Sequence, residues 1–222
     1  MTAPLPLAPV KAPPAINLAD LAGIDGITLP RHKRAEATMH LIVDVVRSLL
    51  RQKPLDAITI DEITALAGCS PPSIYARFRD KTTLLSALYR VHTGALRQTL
   101  AAFLEPGRWR RRDLGEFATS LARLLVRVFE EDRNLYRAVL ASPDPALRAQ
   151  VAADMGELAE AVRAAVDAID GNARQVDREQ VRPALLALVA GLHGTAVWGW
   201  LADGEAGADQ AALFVRAIRR GG

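Results

Sequence analysis

Two short segments between Thr59 and Lys81 carry the residues whose types and spacing could do chemistry. Thr59-Ile60-Asp61-Glu62 is a capping box, in which the threonine hydroxyl accepts from the backbone N–H of Glu62 and the glutamate reaches back to the cap. The helix it opens carries Ile63 and Leu66 inward, and Gly68 can take the left-handed conformation that stops it. Ser70 stands where it would cap a second helix. Pro71 falls at the first helical position, where its missing N–H is not needed, and Pro72 is still in the first turn. Ile74 and Phe78, four apart, form an inward pair, and Arg77, Arg79 and Lys81 gather around the far end. Two short capped helices around a glycine turn make a helix-turn-helix. The outward N-terminal residues of the second can enter a major groove, and its N–H groups favour phosphate. The chemistry is recognition of a polyanion.

Charge is distributed accordingly. Arg31–Arg112 holds 15 Lys/Arg against 7 Asp/Glu, whereas Asp113–Gly222 holds 12 against 16. Only the first half is expected to face a polyanion. Arg31, His32, Lys33 and Arg34 precede the first helix as a basic arm suited to the DNA backbone or minor groove. Bond-making chemistry has no comparable signature. The four histidines, at 32, 40, 92 and 193, are scattered, and there is no Gly-rich phosphate loop, His-x-x-x-His pair or Gly-x-Ser-x-Gly elbow. No catalytic residue, metal or cofactor is expected. The single Cys69 reads as a small buried hydrophobe. With no secretory leader evident, it fits a reducing compartment, and a cytoplasmic location is expected.

The elements that position these residues are all helical. Residues 1–30, rich in Pro and Ala, read as a flexible extension. From Arg31, the stripe Ala35, Met39, Ile42, Val43, Val46 and Leu50 predicts an amphipathic helix that Pro54 ends. Asp80 should cap a long helix with the inner face Leu84, Leu85, Leu88, His92, Ala95, Leu96, Leu100 and Phe103. Glu105-Pro106-Gly107 breaks the chain, and four helical stretches follow near 113–141, 144–169, 177–202 and 209–220. No strand is predicted. The expected architecture is all-α: a three-helix DNA-binding domain at 31–80 and a helical ligand-binding and dimerisation domain at 81–222.

Ala184–Leu201 carries no formal charge over 18 residues, long enough for a membrane span. His193, Thr195, three glycines and the lack of a flanking positive cluster favour a buried helix instead, with no membrane partner. Ala187, Gly191, Thr195 and Gly199 recur every four residues as a smooth stripe, opposite Leu185, Leu188, Leu192 and Trp200. One side is expected to face its own domain and the other a second subunit. The last helix, with Ala211, Ala212, Phe214, Val215 and Ile218, would complete a four-helix homodimer contact that includes Phe214 and Ile218. Phe103, Trp109, Phe117, Phe129, Tyr136, Met155, His193 and Trp198 are candidate linings of a pocket for a small molecule. No charged cluster falls on the inner faces, so that effector is expected to be largely apolar. His193, polar on an apolar helix, needs a partner or a ligand.

The run TIDEITALAGCSPPSIYARFRDKTTLL resembles the DNA-binding signature of the tetracycline-repressor-like (TetR) family. It matches at Thr59, Ile60, Ile63, Ala67, Gly68, Ser70, Ile74, Tyr75, Phe78, Lys81 and Leu84, and departs at Thr64, where Ala is usual, and at Cys69, where Val is usual. The resemblance implies that Pro71, Pro72, Ser73, Tyr75 and Arg77 lie on the recognition helix and that Thr59, Tyr75 and Lys81 hold phosphates. Ser73 and Arg77 are then the candidates for polar base contacts, and the Pro-Pro start offers only apolar or shape readout. It also implies a homodimeric repressor on double-stranded DNA, in which ligand shifts the long helix from Asp80. The rival is a helical interaction module whose helix-turn-helix no longer reads DNA, which Pro71 and Pro72 make conceivable.

Overall fold

A five-residue helix, Pro71–Tyr75, lies at the centre of the candidate surface, and its surroundings are built to hold it. The computed structural model describes residues 17–110, 112–169, 176–198 and 206–219. Among them the helices are α1 (Lys33–Gln52), α2 (Ile60–Ala67), α3 (Pro71–Tyr75), α4 (Lys81–Phe103) and α5 (Pro106–Trp109). They continue with α6 (Leu114–Glu131), α7 (Arg133–Ala141), α8 (Pro145–Ala168), α9 (Arg178–Trp198) and α10 (Ala206–Ile218). No strand forms among the described residues; two isolated bridges pair Ile27 with Phe78 and Val176 with Arg219. The fold is all-α, with an N-terminal three-helix domain carrying the helix-turn-helix and a C-terminal helical domain.

The chain divides into two compact units. Among the described residues, one gathers 17–96 with 132–149, and the other 97–131 with those from 150 to 219. The division falls within α4 and within α8, both continuous helices.

In the first unit, α1 turns Met39, Ile42, Val43 and Val46 fully inward, the stripe its periodicity predicts. α2 packs on α1 and α3 on α2, and α7 also packs on α1. The Asn134 amide donates to the Leu50 carbonyl at 2.8 Å, which satisfies an acceptor that α1 leaves open at its C-terminus. The stretch predicted as one helix over 113–141 is two, broken at Asp132, whose backbone (φ −122°, ψ 37°) leaves the helical region.

Residues 17–30 are folded rather than a flexible extension. Leu18–Leu21 forms a 3-10 turn capped by the Asn17 side chain, and Leu21 is fully buried. Gly23 and Gly26, at φ 80° and 81°, take turns that L side chains rarely adopt. The first part of the expected extension, residues 1–16, lies outside the described residues.

In the second unit α6, α9 and α10 pack on one another. The backbone N–H of Asp177 donates to the Ile218 carbonyl at 2.7 Å and ties the start of α9 to the end of α10. Val181, Leu185, Leu188 and Leu192 are the buried line of α9. Phe214 and Ile218, expected at a subunit contact, are core residues of their own chain, exposed by 2% and 0%. α10 turns that face onto α6 and α9, and its outward side carries Leu213, 52% exposed. Gly191, also expected there, faces α10 of the same chain: a Cβ on it would lie 2.6 Å from the Gln210 amide. Ala187 is exposed, Thr195 is half-buried with its hydroxyl donating to the Gly191 carbonyl at 3.0 Å, and Gly199 lies outside the described residues. No described helix is long and apolar enough to cross a membrane.

Phe214→Ala should therefore lower the unfolding free energy by about 3–5 kcal/mol, the cost of a large core cavity, in denaturant titrations at fixed protein concentration.

Candidate nucleic-acid interface

The surface is assembled from short-range rules first. The Thr59 hydroxyl accepts from the Glu62 backbone N–H at 3.2 Å and starts α2. Glu62 turns its carboxylate to Lys53 at 2.5 Å, and the hydrogen bond from that ammonium holds it below the usual carboxylate range. Gly68 ends α2 at φ 61°, ψ 35°, the left-handed cap. Asp80 starts α4 by accepting from the Thr83 N–H at 2.7 Å and its hydroxyl at 2.9 Å. The Thr83 N–H is the leading cause that keeps the Asp80 carboxyl low.

Between these caps, α3 buries Ile74 and the following turn buries Phe78, at 2% and 1% exposure. With those two inward, Pro71 and Pro72 face out and Tyr75 stands 54% exposed. Thr59 and Arg34 are also exposed, and the Arg31–Arg34 arm lies open along the start of α1.

Three expected residues have other duties. Ser70 occupies the cap position of α3 but makes no capping bond; its hydroxyl meets that of Ser73 at 3.0 Å. Pro71 and Pro72 present no N–H for a cap to hold. Arg77, expected to reach a base, is half-buried and points back. Its guanidinium donates to the Ser73 carbonyl at 2.7 Å and to the Ala35 carbonyl of α1 at 3.3 Å. A helix of five residues leaves most of its carbonyls without helical donors, and Arg77 supplies one. Lys81 donates to the Ile58 carbonyl and so ties α4 to the turn before α2. An ammonium has three protons, so this bond leaves donors for a phosphate.

Sequence reasoning missed the clasp made by residues 17–28. The Thr28 N–H donates to the Arg77 carbonyl at 2.9 Å, and the Arg79 N–H donates to the Gly26 carbonyl at 3.0 Å. Asp25 pairs with Arg79 at 2.7 Å. The Gly-Ile-Asp-Gly tetrapeptide at 23–26 is a turn signal that would have pointed to it.

The aromatic candidates are dispersed. Phe103, Trp109 and Phe117 pack edge-to-face or stacked in the second unit, with ring centroids 4.9–6.3 Å apart. Trp109 is fully buried and its indole N–H donates to the Phe103 carbonyl at 2.7 Å, so the trio fills the core. His193 is buried in the same unit with its ring 5.4 Å from Phe129, and burial pushes its pKa down. Tyr136 belongs to the other unit, where its hydroxyl meets His92 Nε2 at 2.8 Å. The Trp198 side chain lies outside the described residues.

His92 is itself held at both nitrogens. Nδ1 lies 3.3 Å from Asp132, and Asp132 also accepts from Arg51 Nε of α1 at 3.4 Å. Asp132 and Tyr136 thus engage the two ring nitrogens from the start of α7. Among the described residues no group of His, Cys, Asp and Glu could hold a metal ion.

The described helices thus combine a helix-turn-helix whose second helix turns an exposed face outward with further helices that pack as α6, α9 and α10. Residues 42–88 match the family model for bacterial regulatory proteins, tetR family. The HTH-type transcriptional repressor BdcR of Escherichia coli (strain K12) is 33% identical over 66 residues, covering 30% of this chain and 34% of that relative. The chain thus aligns with about a third of the length of that curated relative. NalD of Pseudomonas aeruginosa, the secondary repressor of the MexAB-OprM multidrug efflux pump, superposes with a TM-score of 0.57 at 18% identity, over 85% of this chain and 99% of its own. A TetR-like transcriptional regulator from Rhodococcus sp. RHA1 superposes with a TM-score of 0.53 at 20% identity, over 85% and 97%. At these identities the structural likeness is one of fold. The likeness to the tetR family model is confined to residues 42–88, and the fold is one that solved TetR-like regulators share.

The His92–Asp132 contact has a measurable consequence. Burial raises the Asp132 carboxyl, and the bonds and charges of His92 and Arg51 more than offset it, leaving its pKa below the ordinary value. A depressed folded pKa stabilises above the unfolded value and is lost as pH falls through the folded one. Asp132→Ala should cost about 1.5–3 kcal/mol at neutral pH, and the gap from wild type should narrow below about pH 4, in urea unfolding at a series of pH values.

Proposed function

We propose that the protein is a ligand-responsive transcriptional repressor that binds a palindromic operator as a homodimer. The observation that carries this reading is the exposed face of Thr59, Pro71, Pro72 and Tyr75, set by buried Ile74 and Phe78 inside a TetR-type domain. Thr59, Tyr75 and Lys81 would hold phosphates, and Arg34 would extend the contact along the backbone. Arg77 braces α3, so sequence readout would fall to Ser73, to apolar contacts of Pro71 and Pro72 and to DNA shape.

One helix-turn-helix covers only a few base pairs, and a twofold pair reads a palindrome. The outward side of α9 and α10, with Leu186 at 43% and Leu213 at 52% exposure beside exposed Ala187, supports pairing of two chains there. Repression is favoured because BdcR and NalD are both named as repressors. An apolar effector fits a helical unit whose core is lined by aromatic and aliphatic side chains. Movement of α4 would carry the signal, changing DNA affinity by the coupling free energy between the two sites.

Selection of duplexes from a random library with the purified protein should enrich a palindrome. Tyr75→Ala should abolish the enrichment while leaving unfolding nearly unchanged, because the side chain is exposed. A folded, dimeric protein that enriches nothing would instead support the interaction-module reading.

A further inference from the structure

We propose that Arg79 is a phosphate-binding residue of the DNA-reading surface, and that Asp25 occupies it in the free protein as a built-in competitor of the DNA backbone. The inference rests on the DNA-binding reading above and adds a residue pair to it.

The backbone places Arg79 outward. Phe78 before it is buried and Asp80 after it caps α4, so the guanidinium between them is left 59% exposed, one turn from Tyr75 and two residues from Lys81. The clasp then brings a carboxylate to it. Leu21 anchors residues 17–28 by full burial, and the Thr28–Arg77 and Gly26–Arg79 main-chain bonds fix their register against the turn. Gly26 passes so close that a Cβ there would lie 3.0 Å from Thr83 Oγ1 and 3.2 Å from Arg79 Cβ. Only glycine fits that approach at φ 81°. The turn delivers Asp25 to Arg79 Nη1 at 2.7 Å, while Asp80 lies 3.3 Å from Nε.

Asp25 is 88% exposed and Arg79 is its ion-pair partner. An exposed ion pair adds little to stability. Its marked effect is electrostatic: it places a negative charge where a polyanion would dock and occupies the donors that face it. A phosphate brings the same fork-shaped acceptor geometry with the field of the whole duplex behind it, so it can displace the carboxylate. Each binding event then exchanges Asp25 for phosphate on Arg79, which holds back affinity for every duplex by a similar factor.

The test is a double-variant cycle on the full chain, read by fluorescence anisotropy with a random-sequence duplex at low salt and with the selected operator. Asp25→Asn should bind both about two- to tenfold more tightly. Arg79→Ala should bind more weakly, with the slope of log K against log salt smaller by about 1. In Asp25→Asn/Arg79→Ala the gain from Asn should vanish. Thermal unfolding of all three variants should match wild type, since neither side chain is buried. An equal gain from Asn with and without Arg79 would overturn the proposal, leaving only a long-range charge effect. So would a weaker or unchanged Asp25→Asn. Absence of any wild-type binding at low salt would overturn the DNA-binding reading itself, a result distinct from either.

Discussion

A helix of five residues has no stability of its own, because nucleating a helical turn costs more than one turn returns. The position of α3 is therefore set by what it buries, and that is Ile74, with Phe78 one turn on. Everything around the candidate interface follows from holding those two side chains. α2 packs against α3, Gly68 sets the direction of entry, and Asp80 starts the next helix where the turn must end. Arg77 closes the open carbonyls of α3 onto α1. Exposure of Tyr75, Pro71 and Pro72 is the complement of that burial and needs no separate cause.

The parts of this arrangement that obey short-range rules were legible in the sequence. The Thr59 cap, the left-handed Gly68, the proline at the first helical position and the Ile74–Phe78 pair each act within five residues and sit where their spacing places them, whereas Leu66, expected inward on α2, is 60% exposed with Ala67 buried in its place, and Ser70 makes no capping bond. What was not legible depends on chain segments far apart. Arg77 meets Ala35 across 42 residues and Arg79 meets Asp25 across 54; the Gly-Ile-Asp-Gly signal marks a turn at 23–26, but no local pattern says which residue that turn meets. The broken helix at Asp132 belongs with these, since that residue leaves the helical path where its carboxylate meets His92 and Arg51. Periodicity has a further limit, visible in α10. It identifies the apolar side containing Phe214 and Ile218, but not whether that side meets its own chain or another.

The two compact units share α4 between them. Lys81–Leu96 goes with the helix-turn-helix, and Arg97–Phe103 goes with α6, α9 and α10. α7, distant in sequence, joins the first unit through α1 and through the His92–Asp132–Tyr136 group. A half-buried histidine with both nitrogens engaged fixes its ring orientation, and here it fixes α4 against the N-terminus of α7. On the proposed reading, any shift of α4 must keep or break those two bonds, which is a more specific demand than sliding of apolar faces.

Charge counting needs the same correction. Arg31–Arg112 is strongly basic, yet several of its cations are already engaged within the chain: Arg47 with Asp44, Arg51 with Asp132, Lys53 with Glu62, and Arg79 with Asp25 and Asp80. Arg77 and Lys81 donate to backbone carbonyls. Among the described residues no ion pair forms at Arg31, Lys33 or Arg34. The two ends of the basic surface therefore differ in kind. At the start of α1 a phosphate would meet cations with no ion-pair partner among the described residues, whereas the turn after α3 must exchange one partner for another. Long-range attraction depends on the net field and is little altered by pairing at contact distance. Counterion release depends on the phosphates actually neutralised, so the salt dependence of binding reports how many of the engaged cations have changed partner.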